Sequence, residues 1–205
     1  MGATSWEIPA GRTAKQEALD DLCRNLYPGS AVVDHNFGPG DGRNALQYGG
    51  FGNTLYVAVR ASDGTVSMFV RLFSAQTVGG ERTIVAKDLH ESMGLGGCYD
   101  AAQRVMRHLT PTDSEEATRW REEVEVRRRA RRDNRRKAKD AIGQRIRLET
   151  PLRYGPPVGK VTVVDVLSAT RWRDPATGCT LRAPAGWREN VTFTVGEIGC
   201  DTATA

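Results

Sequence analysis

Between Pro111 and Gly143 the chain contains neither glycine nor proline, and this uninterrupted stretch limits the possible folds more than any other feature. Those two residues are the usual helix breakers. Their absence permits one continuous helix of up to roughly 29 residues, on the order of 43 Å long at about 1.5 Å per residue. Thr112 with Glu115 and Asp113 with Glu116 supply overlapping capping boxes at its start. The apolar stripe is short, comprising Ala117, Trp120 and Val124. From Arg127 onward almost every direction around the helix is basic or polar, as in a rod that bridges solvent or one that receives a polyanion.

The charge of the whole chain is set by that helix. The formal net charge is +4, yet Arg127 to Lys139 (RRRARRDNRRKAK) holds nine basic residues and one acidic one, Asp133. That segment alone carries +8, which leaves −4 on the remaining 192 residues. The basic character is therefore a local element on a mildly acidic protein.

Before the helix the pattern is mixed. Residues 13–27 predict an amphipathic helix capped by Thr13 and stopped at Pro28-Gly29. Ala31 to Val33 reads as a short strand. It leads into a glycine-rich loop with six glycines between Gly38 and Gly52, in which Tyr48 and Phe51 could contact a partner. Two apolar runs flanking Ser62-Asp63-Gly64 predict a hairpin. Glu81 to Leu89 predicts another strand, and Ala101, Ala102, Val105, Met106 and Leu109 predict a second helix. Residues 1–111 thus read as an α+β domain with about four mostly antiparallel strands, and 112–142 as the arginine-rich helix or linker.

After Gly143 the pattern is β. About five short strands within residues 143–199 suggest a small SH3-like β-barrel, and a unit of that size is expected to lean on Trp120 and Val124 of the long helix. Val, Ile, Leu and Phe together make up 41 of 205 residues, so the core is lean. Residues 200–205 should fray.

Lys87-Asp88-Leu89-His90-Glu91-Ser92-Met93-Gly94, then Cys98, Trp120-Arg121-Glu122, a Gly-x-x-Ile-x-Leu strand from Gly143, and a late Trp187-Arg188 together resemble an uncharacterised-domain family of phage, plasmid and mobile-element proteins. The likeness runs over about residues 55 to 195. It departs from the family pattern at Leu95 and Tyr99, which stand where the family usually has proline. The resemblance implies a mobile-element setting and a two-part architecture, with no assigned activity.

Guanidinium groups match phosphate bidentately and stay charged. Arg127, Arg128, Arg129, Arg131, Arg132, Arg135, Arg136, Lys137 and Lys139 are therefore the candidate nucleic-acid contacts, with a solvated linker or an acidic protein partner as the alternatives. Nothing in the run specifies bases. In the barrel, Trp172 and Trp187 interleave with Arg171, Arg173 and Arg188, a combination that stacks and clamps single strands when exposed and packs a core when not. Asp88, His90, Glu91, Cys98 and Asp100 lie in a Gly-rich turn before a helix, where a reactive thiol or ligand site is conceivable and a structural turn is simpler. Asp34-His35-Asn36 read as surface or turn residues, and His108 as an exposed or helix-end cation.

Several classes drop out. Gly38 to Arg43 lacks the Gly-Lys-Ser/Thr ending of a P-loop and opens no dinucleotide-binding unit. Cys23, Cys98, Cys179 and Cys200 are far apart, without metal-ligand spacing, and read as reduced and mostly buried. No apolar run approaches the roughly 18 residues of a membrane span. The first residues have no secretory order, and Trp6 stands where myristoylation requires Ser or Thr.

The sequence thus predicts a non-catalytic accessory protein of a phage or mobile element, acting in the cytoplasm of a bacterial host. It would bind nucleic acid or a nucleoprotein through its basic helix, without metal or cofactor. The alternatives are an inhibitor or adaptor of a host protein and, last, a small hydrolase centred on His90, Glu91 and Cys98.

Overall fold

A computed structural model describes residues 4–38 and 53–195. Most of the glycine-rich loop, with Tyr48 and Phe51, lies outside the described residues, as do Cys200 and the 200–205 tail. The chain divides into two compact units, Met1–Val126 and Arg127–Ala205. The boundary falls inside the long helix, so the expected separate helical segment is shared between the two units.

The N-terminal unit contains β1 (Thr4–Glu7), α1 (Ala14–Arg24), β2 (Ala31–Gly38), β3 (Asn53–Arg60), β4 (Val66–Val78) and β5 (Glu81–His90). A short 3-10 turn (Glu91–Met93), α2 (Gln103–Met106) and the first half of α3 (Glu115–Asp140) complete it. The strands form an antiparallel sheet in the order β1-β5-β4-β3-β2. The Asp63-Gly64 hairpin is present, with Gly64 at a φ of 88° that favours glycine and the Asp63 carboxylate accepting the Thr65 N–H at 2.8 Å. Helix α1 starts with the capping box formed by Thr13 and Gln16.

Both faces of this sheet are covered. Tyr56, Ala58, Met68, Val70, Leu72 and Leu89 pack with Val105, Trp120 and Val124 on one side. Leu55, Val57, Phe73, Ile84 and Ala86 pack with Ala18 and Leu22 of α1 on the other. Alternation along β3 and β4 accounts for the division, because neighbouring residues of a strand point to opposite faces.

Three expectations change here. Strand β2 runs on to Gly38, so Asp34, His35 and Asn36 are strand residues, set by a register shift between Val32 and Asp34. The second helix shrinks to one turn, Gln103–Met106. Its predicted start is held extended by side chains of the sheet: the Ala102 N–H donates to Asn36 Oδ1 at 2.8 Å, and the Asp100 N–H to the Tyr56 hydroxyl at 3.1 Å. Helix α3 begins after Ser114, whose Oγ accepts the Ala117 N–H at 3.3 Å, in place of the two expected capping boxes.

The C-terminal unit holds the rest of α3, then β6 (Arg145–Arg153), β7 (Lys160–Val166), β8 (Arg171–Arg173), β9 (Thr180–Arg182), α4 (Trp187–Asn190) and β10 (Phe193–Val195). Its antiparallel sheet has the order β10-β6-β7-β8-β9. Strands β9 and β10 are the two edges and no ladder joins them, so the sheet is open. Its core comprises Ile146, Leu148, Val161, Val164, Val166, Trp172, Leu181 and Trp187, with Ala138 and Ala141 from α3 and the loop after it. Trp120 and Val124, expected to support this sheet, belong instead to the N-terminal core. The molecule is α+β, built on two antiparallel sheets.

Candidate nucleic-acid interface

The basic run occupies the C-terminal half of α3, where Ala138 is fully buried and its small side chain lets the helix approach the sheet closely. Arg127, Arg129, Arg132, Arg135, Arg136, Lys137 and Lys139 are exposed, whereas Arg128 and Arg131 are half-buried. Arg135 turns back onto its own unit, its Nε 2.7 Å from Glu189 Oε1, while Asn134 donates to the Glu189 carbonyl at 3.2 Å. That contact engages the Arg135 guanidinium within the unit.

Arg129, Arg132 and Arg136 follow at i, i+3 and i+7, and at about 100° per residue they lie on the side of the helix turned away from Ala138. Among the described residues these three form no ion pair. Asp133, the single carboxylate of the run, is also exposed. Like charges spaced three or four apart on a helix destabilise it by about 0.2–0.5 kcal/mol per pair. An anion laid along the stripe removes that penalty.

The charge is also divided between the units. Residues 127–205 carry 17 Lys and Arg against 8 Asp and Glu, a net of +9. Residues 1–126 carry 12 against 17, a net of −5.

The tryptophans are not a stacking platform. Trp172 is 0% and Trp187 2% exposed, packed edge to face at 5.1 Å, and the Trp187 indole N–H donates to the Ala169 carbonyl at 2.8 Å. Arg173 and Arg188 are exposed. Arg182, which is not among the candidates from sequence, and Arg171 are also exposed on this sheet. The signal was in the alternation: in Arg-Trp-Arg and Thr-Leu-Arg the apolar residue faces the core and the arginines face outward.

The turn residues of the N-terminal unit are occupied structurally. Both oxygens of Asp88 accept from Arg71 at 2.6 Å. His90 Nδ1 lies 2.7 Å from Ser92 Oγ, and its ring packs against Phe69. The buried Glu91 takes a two-pronged contact from Arg121 at 2.7 and 2.8 Å, and its Oε1 accepts the Met68 N–H just past the last β4–β5 pair. Cys98 is buried and its carbonyl accepts the Trp120 indole N–H at 2.7 Å. The Asp100 carbonyl accepts from Asn36. Of the other cysteines, Cys23 is exposed, against expectation, and Cys179 is half-buried. Among the described residues no group of three or more His, Cys, Asp and Glu could hold a metal ion. No described helix is long and apolar enough to cross a membrane.

The remaining polar cluster joins β2 to α2. Arg104 bonds the Asp34 carboxylate and the His35 carbonyl, and His108 Nε2 lies 3.9 Å from Asp34. Burial pushes the Asp34 carboxyl up, but the His35 N–H, Arg104 and His108 together outweigh it and hold it below the usual carboxylate range. Burial, aided by the Arg104 charge, pushes the His35 imidazole down. This cluster ties a strand to a one-turn helix.

Compared with known proteins, the chain matches no family model, no curated protein and no solved structure.

Proposed function

We propose that the C-terminal unit binds nucleic acid through the phosphate backbone, with the exposed face of α3 as the contact surface. The protein is then a non-catalytic accessory factor. The observation that carries this reading is the stripe of Arg129, Arg132 and Arg136, exposed and without ion pairs among the described residues, on a unit of net +9. Arginine suits the task because its planar, permanently charged fork matches phosphate oxygens. Phosphate contacts carry no sequence information, so binding through them is sequence-tolerant. We read the five-stranded sheet as an SH3-like module that presents the helix. The motif resemblance supports a phage or mobile-element setting in a bacterial cytoplasm.

The test is fluorescence anisotropy with a labelled 24-base-pair duplex between 50 and 200 mM salt. Three phosphate contacts contribute a slope of roughly −2.7 to log K against log salt, at about 0.9 each. Replacing Arg129, Arg132 and Arg136 with Gln should make the slope shallower by about that amount. An unchanged slope and affinity would reject the helix as the contact. Capture of an acidic protein that is lost in the Arg129, Arg132 and Arg136 variant, with no duplex binding by the parent, would replace this reading with an adaptor.

A further inference from the structure

The outward face of the C-terminal sheet carries a second arginine cluster, distinct from the helix. Arg171 on β8 and Arg182 on β9 are direct cross-strand partners, and both are exposed. Arg173 sits two positions along β8 on the same face, roughly 7 Å from Arg171 at about 3.4 Å per residue. Like charges directly opposite one another in a sheet are destabilising. Among the described residues none of the three has an ion-pair partner. The nearby carboxylates are engaged: Asp165, although paired with Arg173 in register, holds Arg145 at 2.6 Å, and the buried Asp174 is bonded to Thr177.

The cluster continues at the sheet edge. Arg182 lines a cleft of about 620 Å³ formed with the Ala183–Gly186 loop, the buried Trp187, the exposed Arg188 and Glu189, whose carboxylate is engaged by Arg135 at 2.7 Å. Trp172, between Arg171 and Arg173, and its cross-strand partner Leu181, next to Arg182, point the other way into the core that receives Ala138. The face therefore has no structural use for three adjacent cations, and it is turned away from the helix that packs on the inner side.

We propose that Arg171, Arg173 and Arg182, with Arg188 across the cleft, form a second phosphate-backbone contact surface, occupied by nucleic acid. This deepens the preceding reading and rests on it for the identity of the polyanion. The site holds two or three phosphates, its chemistry is charge and bidentate hydrogen bonding, and the buried tryptophans take no part.

The same duplex assay decides, with a labelled 24-nucleotide single strand run in parallel. Replacing Arg171, Arg173 and Arg182 with Gln should reduce the magnitude of the salt slope by about 1.8 to 2.7 on the duplex, at about 0.9 per phosphate, and by less on the single strand. The three Lys replacements should restore most of the slope, which a purely structural role would not require. Circular dichroism confirms that each variant keeps the fold. If the Gln variant binds as the parent does while the helix variant is weakened, the second surface is overturned and the helix reading stands. If the helix variant is unchanged and the sheet variant is weakened, the sheet face is the interface and the helix reading falls. Absence of binding by the parent to either probe overturns both.

Discussion

Arg71 is 1% exposed in the middle of β4, a position where a lone charge would be very costly. It is kept there by four hydrogen bonds that it donates and by a ring: two to Asp88 at 2.6 Å, one to Asp21 at 2.7 Å, one to the Ala18 carbonyl at 2.8 Å, and the Trp6 ring 5.4 Å away. Burial alone would lower the affinity of the guanidinium for its proton, but the two carboxylates reverse that and hold it above its ordinary value. The network clips α1 and β5 to β4 through one side chain.

Replacing Arg71 with Met keeps the length of the stem and removes the cation, leaving Asp88 without its partner and Asp21 with only the Asn25 amide at 3.0 Å and Arg24 at 3.9 Å. Removing one member of a buried ion pair costs about 3–5 kcal/mol. Asp88 is 28% and Asp21 14% exposed, so both regain some water, and the loss should fall near the lower end, about 3 kcal/mol. Urea unfolding followed by far-ultraviolet circular dichroism should show this as a lower midpoint with an unchanged slope. Adding Asp21→Asn and Asp88→Asn removes the stranded charges and should recover much of the stability, because replacing a whole buried network costs far less than breaking it. A loss below about 1 kcal/mol for the single variant, or no recovery in the triple, would refute the argument that the cation is held by its carboxylates.

Two further outcomes follow from the N-terminal unit. Folding lowers the His35 pKa below the ordinary imidazole value of about 6.5, so the unfolded chain binds the proton more tightly. The neutral ring's contribution to stability is present above about pH 6.5 and is lost as pH falls through the folded value. Urea midpoints measured from pH 7.5 to 5 should fall less steeply for His35→Gln than for the parent, and parallel curves would contradict this. Trp120→Phe removes the indole donor to the Cys98 carbonyl in a buried site, and the lost hydrogen bond should cost about 0.5–1.5 kcal/mol by the same unfolding measurement.

Elements fixed by local chemistry were legible in the sequence. The Asp63-Gly64 turn, the Thr13 cap and the glycine-free span of α3 each depend on a few adjacent residues, and each is found where the pattern put it. Elements fixed by distant partners were not. Strand β1 is short and exists through its pairing with β5, so nothing in Thr4–Glu7 signals it. The segment after Cys98 has helical spacing, yet Asn36 and Tyr56, more than forty residues earlier, claim its backbone N–H groups and delay the helix to Gln103. Likewise, spacing identified Trp120 and Val124 as an apolar stripe but could not say which sheet they would meet. At the candidate interface the run of arginines was plain. Its partition into exposed Arg129, Arg132 and Arg136 and a Glu189-bound Arg135 needed the position of α4.

The placement of that stripe along α3 bears on how it can bind. A helix so dense in like charge has little stability of its own, since each i,i+4 repulsion works against a structure that is marginal in water even when favourable. Here the basic stretch is held within its own unit by Ala138, fully buried in the core of the C-terminal sheet. Tertiary packing therefore supplies the helicity that the basic stretch lacks. A disordered basic segment must spend part of its interaction energy on ordering when it meets a polyanion, whereas these guanidinium groups already stand on formed backbone and lose chiefly side-chain freedom. Burying a small residue on one side of the helix and leaving the opposite side charged is thus one solution to two requirements: a stable helix, and an array of cations presented to phosphate on formed backbone.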